Sequence, residues 1–132
     1  MPSTQRSALM LAGLLASAGA AHFVAPKQFD AIVPSALPGS SRGWTLASGA
    51  VELALAAGLA LPATRRTSAR ATALFFAAVF PANVKMAHDW RHRSTPAKAV
   101  AYARLPLQIP LILWARSAAR AVEDTAAGLS RR

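Results

Sequence analysis

Residues 45–61, TLASGAVELALAAGLAL, hold one charge, Glu52, in a run that is otherwise apolar or small. A helix crossing the hydrocarbon core needs about 20 residues, with about 17–25 common, and Trp44 in front brings this run into that range. An ionisable group at membrane depth is costly, so it faces a partner, a cavity or a substrate path. The fold therefore turns on what else in the chain can meet Glu52.

The composition favours a membrane protein. The 132 residues suffice for one compact unit. Hydrophobic residues make up 54% and charged residues only 15%, against about 25% charged in soluble domains. Fifteen Lys/Arg against five Asp/Glu give a formal net charge of +10. Most of these basic residues flank the apolar runs and form no stripe along one of them. That pattern suits anionic headgroups and topology control, and it argues against nucleic acid as a partner. The absence of cysteine removes disulfides, iron–sulfur clusters and Cys-x-x-Cys-His haem attachment.

Three further apolar runs accompany the first. Residues 7–25 (SALMLAGLLASAGAAHFVA) follow Arg6, and Ala18-Gly19-Ala20 within them also fits a leader cleavage pattern. With three spans behind it, a retained helix is the better reading. Residues 69–86 (ARATALFFAAVFPANVKM) become polar at their far end, and residues 99–115 (AVAYARLPLQIPLILWA) contain Arg104, Gln108, Pro106 and Pro110. The expected fold is all-α: a transmembrane four-helix bundle forming a single membrane domain over 1–132, with helices at 7–25, 44–61, 69–87 and 98–120. The link 26–43 (PKQFDAIVPSALPGSSRG) is rich in Pro and Gly yet contains Phe29, Ile32, Val33 and Leu37. Such a partly apolar loop is expected to fold onto the bundle as a non-helical link, because backbone at membrane depth must find hydrogen-bond partners. Trp90, in the polar link 88–96, reads as an interfacial anchor, and Lys85 as a side chain snorkelling to the headgroups.

Four crossings put both termini on one side, with Arg6, Arg65, Arg66, Arg70, Arg116, Arg120, Arg131 and Arg132. Lys27, Arg42, Arg91, Arg93 and Lys98 fall on the other. The excess points to cytoplasmic termini and a multi-pass protein of the inner membrane.

At about 1.5 Å per residue, Glu52 lies ~12 Å below the surface where the first and third links emerge. Arg104 and Gln108 lie ~8 and ~15 Å below it. Asn83 and His22 stand near the ends of their runs on the same side. Five polar residues thus share one half of the membrane. Arg104 and Gln108 are four apart on one helix face, and an ion pair between Glu52 and Arg104 is the cheapest way to keep both charged. Pro81, Pro106 and Pro110 remove backbone donors close to these residues. Broken backbone with convergent polar side chains is how membrane proteins build small-molecule sites at depth. The competing structural reading is a Glu–Arg pin that only fixes helix register, with His22 as a helix-end residue. Gly13, Gly19, Gly49 and Gly58 read as close-packing positions. His88 and His92 lie in a basic link with only Asp89 beside them, so no metal site is expected, and no catalytic triad or phosphate loop stands out.

Several strings recur in order. They are Ala21-His22-Phe23 with Pro26 and Phe29; Ile32-Val33-Pro34 with Leu37-Pro38; Ser48-Gly49 with Glu52 and Gly58. Then come Phe80-Pro81-Ala82-Asn83-Val84 with Met86-Ala87, and Arg104-Leu105-Pro106-Leu107-Gln108 with Pro110 and Trp114-Ala115. Together, from about residue 20 to residue 115, they resemble the DoxX-like family of small four-helix membrane proteins. The resemblance implies an inner-membrane protein associated with a membrane oxidoreductase complex. The family is named for a subunit linked to quinone-dependent sulfur oxidation, and distant eukaryotic relatives are linked to membrane-protein assembly. The residues matching its recurrent pattern are His22, Glu52, Asn83, Arg104 and Gln108, which makes them the expected ligand-binding set. A quinone is the cofactor this implies. The expected partners are the lipid bilayer, a membrane or redox protein and a second copy of the chain. Against this stand a non-enzymatic assembly or binding factor and a small transporter; the latter lacks a visible duplicated motif within four helices.

Overall fold

A computed structural model of the chain describes residues 3–131. Among them all regular structure is helical: α1 (Ser3–Val24), α2 (Pro26–Asp30), α3 (Ser41–Ala60), α4 (Arg65–Ala78), α5 (Phe80–Asp89) and α6 (Thr95–Ser130), with a 3-10 turn at Trp90–His92. The all-α expectation thus holds among the described residues. α1 and α3, at 22 and 20 residues, are long and apolar enough to cross a membrane by length and composition.

The other spans depart from expectation in ways the prolines explain. The third run is two helices. Pro81 has no N–H to give and its ring crowds the carbonyl four residues back, so the helix stops at Ala78 and restarts at Phe80. The fourth run is longer than 98–120. Pro96 sits in its first turn, where a missing N–H costs nothing, and α6 continues through Pro106 and Pro110 for 36 residues, about 54 Å. Ser130 is still helical, and Arg132 lies outside the described residues.

α1 packs on α3, and α4 and α5 pack on α6; contacts between α3 and α4 and between α1 and α6 join the pairs. The α1–α3 crossing is close because both faces offer glycine. A Cβ on Gly49 would lie 2.7 Å from His22 Cβ and 2.9 Å from Phe23 Cε2, and one on Gly19 would lie 3.0 Å from Gly49 O. Gly58 faces Ser68 in the same way, whereas Gly13 is open.

The short α3–α4 turn is held by side chains that close the end of α3. Arg65 donates to Leu59 O at 2.8 Å and Ala60 O at 2.9 Å, and Thr64 Oγ1 to Gly58 O at 2.9 Å. These carbonyls have no partner within the helix. Beside this turn lies the apolar core: Leu11, Leu15, Leu59 and Phe76 with Ala12, Ala56, Ala69, Ala115, Ala118 and Ala119.

At the opposite end the α1–α3 link folds onto the bundle, as its apolar residues suggest. It is partly helical, however: α2 starts at Pro26 and carries Phe29 inward. Ile32 packs with Met86 and Ala101, and Trp90 lies against them with Arg93 4.5 Å from its ring centroid. Trp90 therefore packs on protein. Lys85 pairs with Asp89 one turn on, so its ammonium is held by a carboxylate and does not reach for headgroups alone. Gly39, at φ 84°, makes the left-handed turn into α3, which Ser40 caps by accepting from Gly43 N at 3.0 Å.

Candidate functional site

The inward face of α3 runs Thr45, Gly49, Glu52, Ala56, Leu59, residues three or four apart and therefore on one stripe. Its second half is apolar and joins the core. Its first half places a hydroxyl and a carboxylate against α1 and α2.

His22, in the last turn of α1, meets Glu52 across the glycine crossing, with Nδ1 3.1 Å from Oε2. Nδ1 also lies 2.8 Å from Ala18 O. A carbonyl oxygen only accepts, so Nδ1 carries the proton and donates to Ala18, which leaves Nε2 as the free nitrogen. The imidazole stacks on Phe29, with centroids 3.8 Å apart and planes at 23°. Both His22 and Glu52 are buried.

The expected Glu52–Arg104 ion pair does not form. No Arg104 nitrogen lies within 4.0 Å of the carboxylate, although Arg104 is near enough to act on it through space. Helix depth gives the height of a residue and not its bearing, and His22 faces Glu52 because the glycines press α1 against α3. Arg104 is half-buried on α6.

Asn83 and Gln108 form a separate unit. Asn83 Nδ2 donates to Gln108 Oε1 at 2.9 Å, and Gln108 Nε2 donates to Phe76 O. Phe76 is in the last turn of α4, where carbonyls lose their helical partners. Gln108 therefore closes the break that Pro81 opens, and Asn83 orients Gln108. All three groups are buried and paired.

Glu52 is different. Among the described residues, three buried side-chain oxygens lack a hydrogen-bond partner: Asp30 Oδ1, Thr45 Oγ1 and Glu52 Oε2. All belong to α2 or the inward stripe of α3. A buried polar atom left unpaired costs about 1–3 kcal/mol; the Thr45 hydroxyl acts on the Asp30 carboxyl, so the unmet demand for a donor falls on Glu52 Oε2. Thr45, Phe29 and Asp30 were not in the expected set. The signal for Thr45 was present, since it lies two turns before Glu52 on one helix face; Phe29 was expected to pack onto the bundle, but nothing in the pattern set it against His22.

Loop 1 covers this corner and is latched from outside. Arg42 donates to Asp30 Oδ2 at 2.9 Å through both Nε and Nη2, and this guanidinium holds the Asp30 carboxyl below the usual carboxylate range. Trp44 Nε1 donates to Pro38 O at 2.6 Å. A surface concavity lined by Val24, Ala25, Pro26, Lys27, Gln28 and Arg42 lies along α2 and the latch.

The family described as Domain of unknown function (DUF8561) matches residues 11–119, most of the chain, and the chain belongs to it. That span contains every residue of the corner and of the Asn83–Gln108 unit. No curated protein and no solved structure matches the chain.

Proposed function

We propose that this DUF8561 member is a multi-pass inner-membrane protein of the DoxX-like type. Its helices cross the bilayer four times (α4 and α5 together as the third crossing), with cytoplasmic termini. It serves as an accessory subunit of a membrane oxidoreductase complex. The outward surfaces support the crossing. Leu107 and Ile109 on α6 are 56% and 62% exposed, and Leu74 on α4 is 73% exposed. Such faces suit lipid and are costly in water. α1 and α3 likewise leave Met10, Leu14, Leu46, Val51 and Leu53 outside.

The observation that carries the site is the buried, unpaired Glu52 Oε2 beside His22. The chemistry it asks for is an amphipathic molecule with a polar head that exchanges protons, and a quinone has that character. His22, Glu52 and Arg104 fit the group: Arg104 and a protonated Glu52 are donors for a carbonyl oxygen, His22 Nε2 is an acceptor for a hydroxyl, and Phe29 supplies an apolar wall. When bound, a quinone would supply two-electron, two-proton redox chemistry, with electrons drawn from a partner subunit. The residues of this chain would bind the head, keep water out and hold a proton at Glu52. In membranes from cells making the protein, Glu52→Gln is expected to insert normally and to abolish quinone-dependent oxidoreductase activity. Wild-type activity in that variant would sink this reading.

A second reading, a non-enzymatic assembly or binding factor, draws on the Asn83–Gln108–Phe76 unit, whose buried polar groups serve packing alone. A stoichiometric membrane-protein partner, retained in detergent and lost on altering residues 26–39, is its expected signature.

A further inference from the structure

The arginines at the α3–α4 end divide into those with a task inside the fold and those without. Arg65 closes α3. Arg66 and Arg70 both reach Glu123 on α6. Arg116 and Arg120 are exposed, and neither makes an ion pair or side-chain hydrogen bond among the described residues. They stand one turn apart on the outer face of α6, the opposite face being packed through Ala115, Ala118 and Ala119. With Leu113, Ser117, Ala121 and Asp124 they line a shallow concavity.

We infer that Arg116 and Arg120 form a headgroup site for an anionic phospholipid, with Leu113 against the first acyl carbons. This rests on the membrane placement above and not on the Glu52 corner. The level fits. Below Arg116 the same face of α6 is apolar at Ile109 and Leu113, and Trp114 donates to Ser7 Oγ at 2.8 Å, tying α6 to the first turns of α1. An apolar face that gives way to arginines marks the headgroup level. The charge fits as well. Two guanidiniums about 6 Å apart at Cβ can share one phosphodiester, and their combined charge repels the ammonium of a zwitterionic headgroup. Asp124, at the water end of the concavity, is one carboxylate against two cations and pairs with neither.

The test is native mass spectrometry of the full chain in detergent, titrated with dioctanoyl phosphatidylglycerol, dioctanoyl phosphatidylcholine or inorganic phosphate. The wild type is expected to retain phosphatidylglycerol in preference to phosphatidylcholine. Arg116→Gln/Arg120→Gln should weaken that retention about 30-fold, from about one kcal/mol per basic residue. A charge-matched control, Arg6→Gln/Lys98→Gln, should leave it within a few-fold. Equal retention in both doubles, no preference between the lipids, or displacement by inorganic phosphate at equal concentration would overturn the site. Flotation on pure phosphatidylcholine vesicles separates the two claims: a wild type that does not float contradicts the membrane reading, whatever the headgroup titration gives.

Discussion

The two ends of the bundle solve the same packing problem with different chemistry. Towards the α3–α4 turn, Leu11, Leu15, Leu59 and Phe76 interlock with six alanines, and no ionisable side chain is buried there. Towards loop 1, His22, Thr45, Glu52, Asn83 and Gln108 are buried together with glycine instead of leucine at the helix crossing. The polar end is itself divided: Asn83 and Gln108 satisfy one another and a helix-end carbonyl, whereas Glu52 keeps an oxygen with no hydrogen bond. Stability explains the apolar end and the Asn83–Gln108 unit. It does not explain Glu52.

That contrast can be broken by substitution. The largest effect is expected at the apolar end, where Leu59→Ala should destabilise by about 2–5 kcal/mol; if the bundle sits in lipid, as proposed, the loss is mainly of packing, because tails are as apolar as the core. Reversible denaturation in mixed micelles measures it, and a change under half a kcal/mol would remove the distinction between the ends. Next come the paired amides. Gln108→Leu strands Asn83 and Phe76 O and should cost about 1–3 kcal/mol, while the double variant Asn83→Leu/Gln108→Leu should recover much of the Asn83 share. A double that is the plain sum of the singles would mean the two side chains act independently.

Glu52→Gln should change stability by under about 1 kcal/mol, because Oε2 makes no hydrogen bond and the near-isosteric amide keeps the approach to His22. The smallest effect concerns the latch. Asp30 has its pKa lowered by Arg42, so its contribution is complete above the unfolded-state value and is lost as pH falls through the lower folded-state value. Amide exchange in residues 26–39, corrected for intrinsic rates, should stay slow down to the carboxylate range and rise only below it. In Asp30→Asn it should be fast at every pH; retained protection there would remove the latch.

Much of this was legible in the chain. The apolar runs located α1 and α3 because length and hydropathy are one-dimensional properties. That His22, Glu52, Asn83, Arg104 and Gln108 lie towards one end of the bundle followed from helical rise alone. Which of them touch was not legible, since contact depends on helix rotation. Rotation is set here by Gly19 and Gly49, whose role needs the partner helix to be seen. Arg104 therefore looked like the partner of Glu52, and His22 holds that place. α2 was hidden in a Pro/Gly-rich stretch, and the reach of α6 beyond residue 120 was masked by a rise in charge after Arg116.

The most direct measurement of the Glu52 corner is native mass spectrometry of the detergent-extracted protein, read for co-purifying small molecules in wild type, Glu52→Gln and Arg104→Leu. A quinone or quinone-like molecule held by the wild type and lost from both variants, each still folded, is the expected result. A wild type that carries no such molecule even after incubation with a soluble quinone analogue would contradict the ligand site and leave His22 and Glu52 as packing.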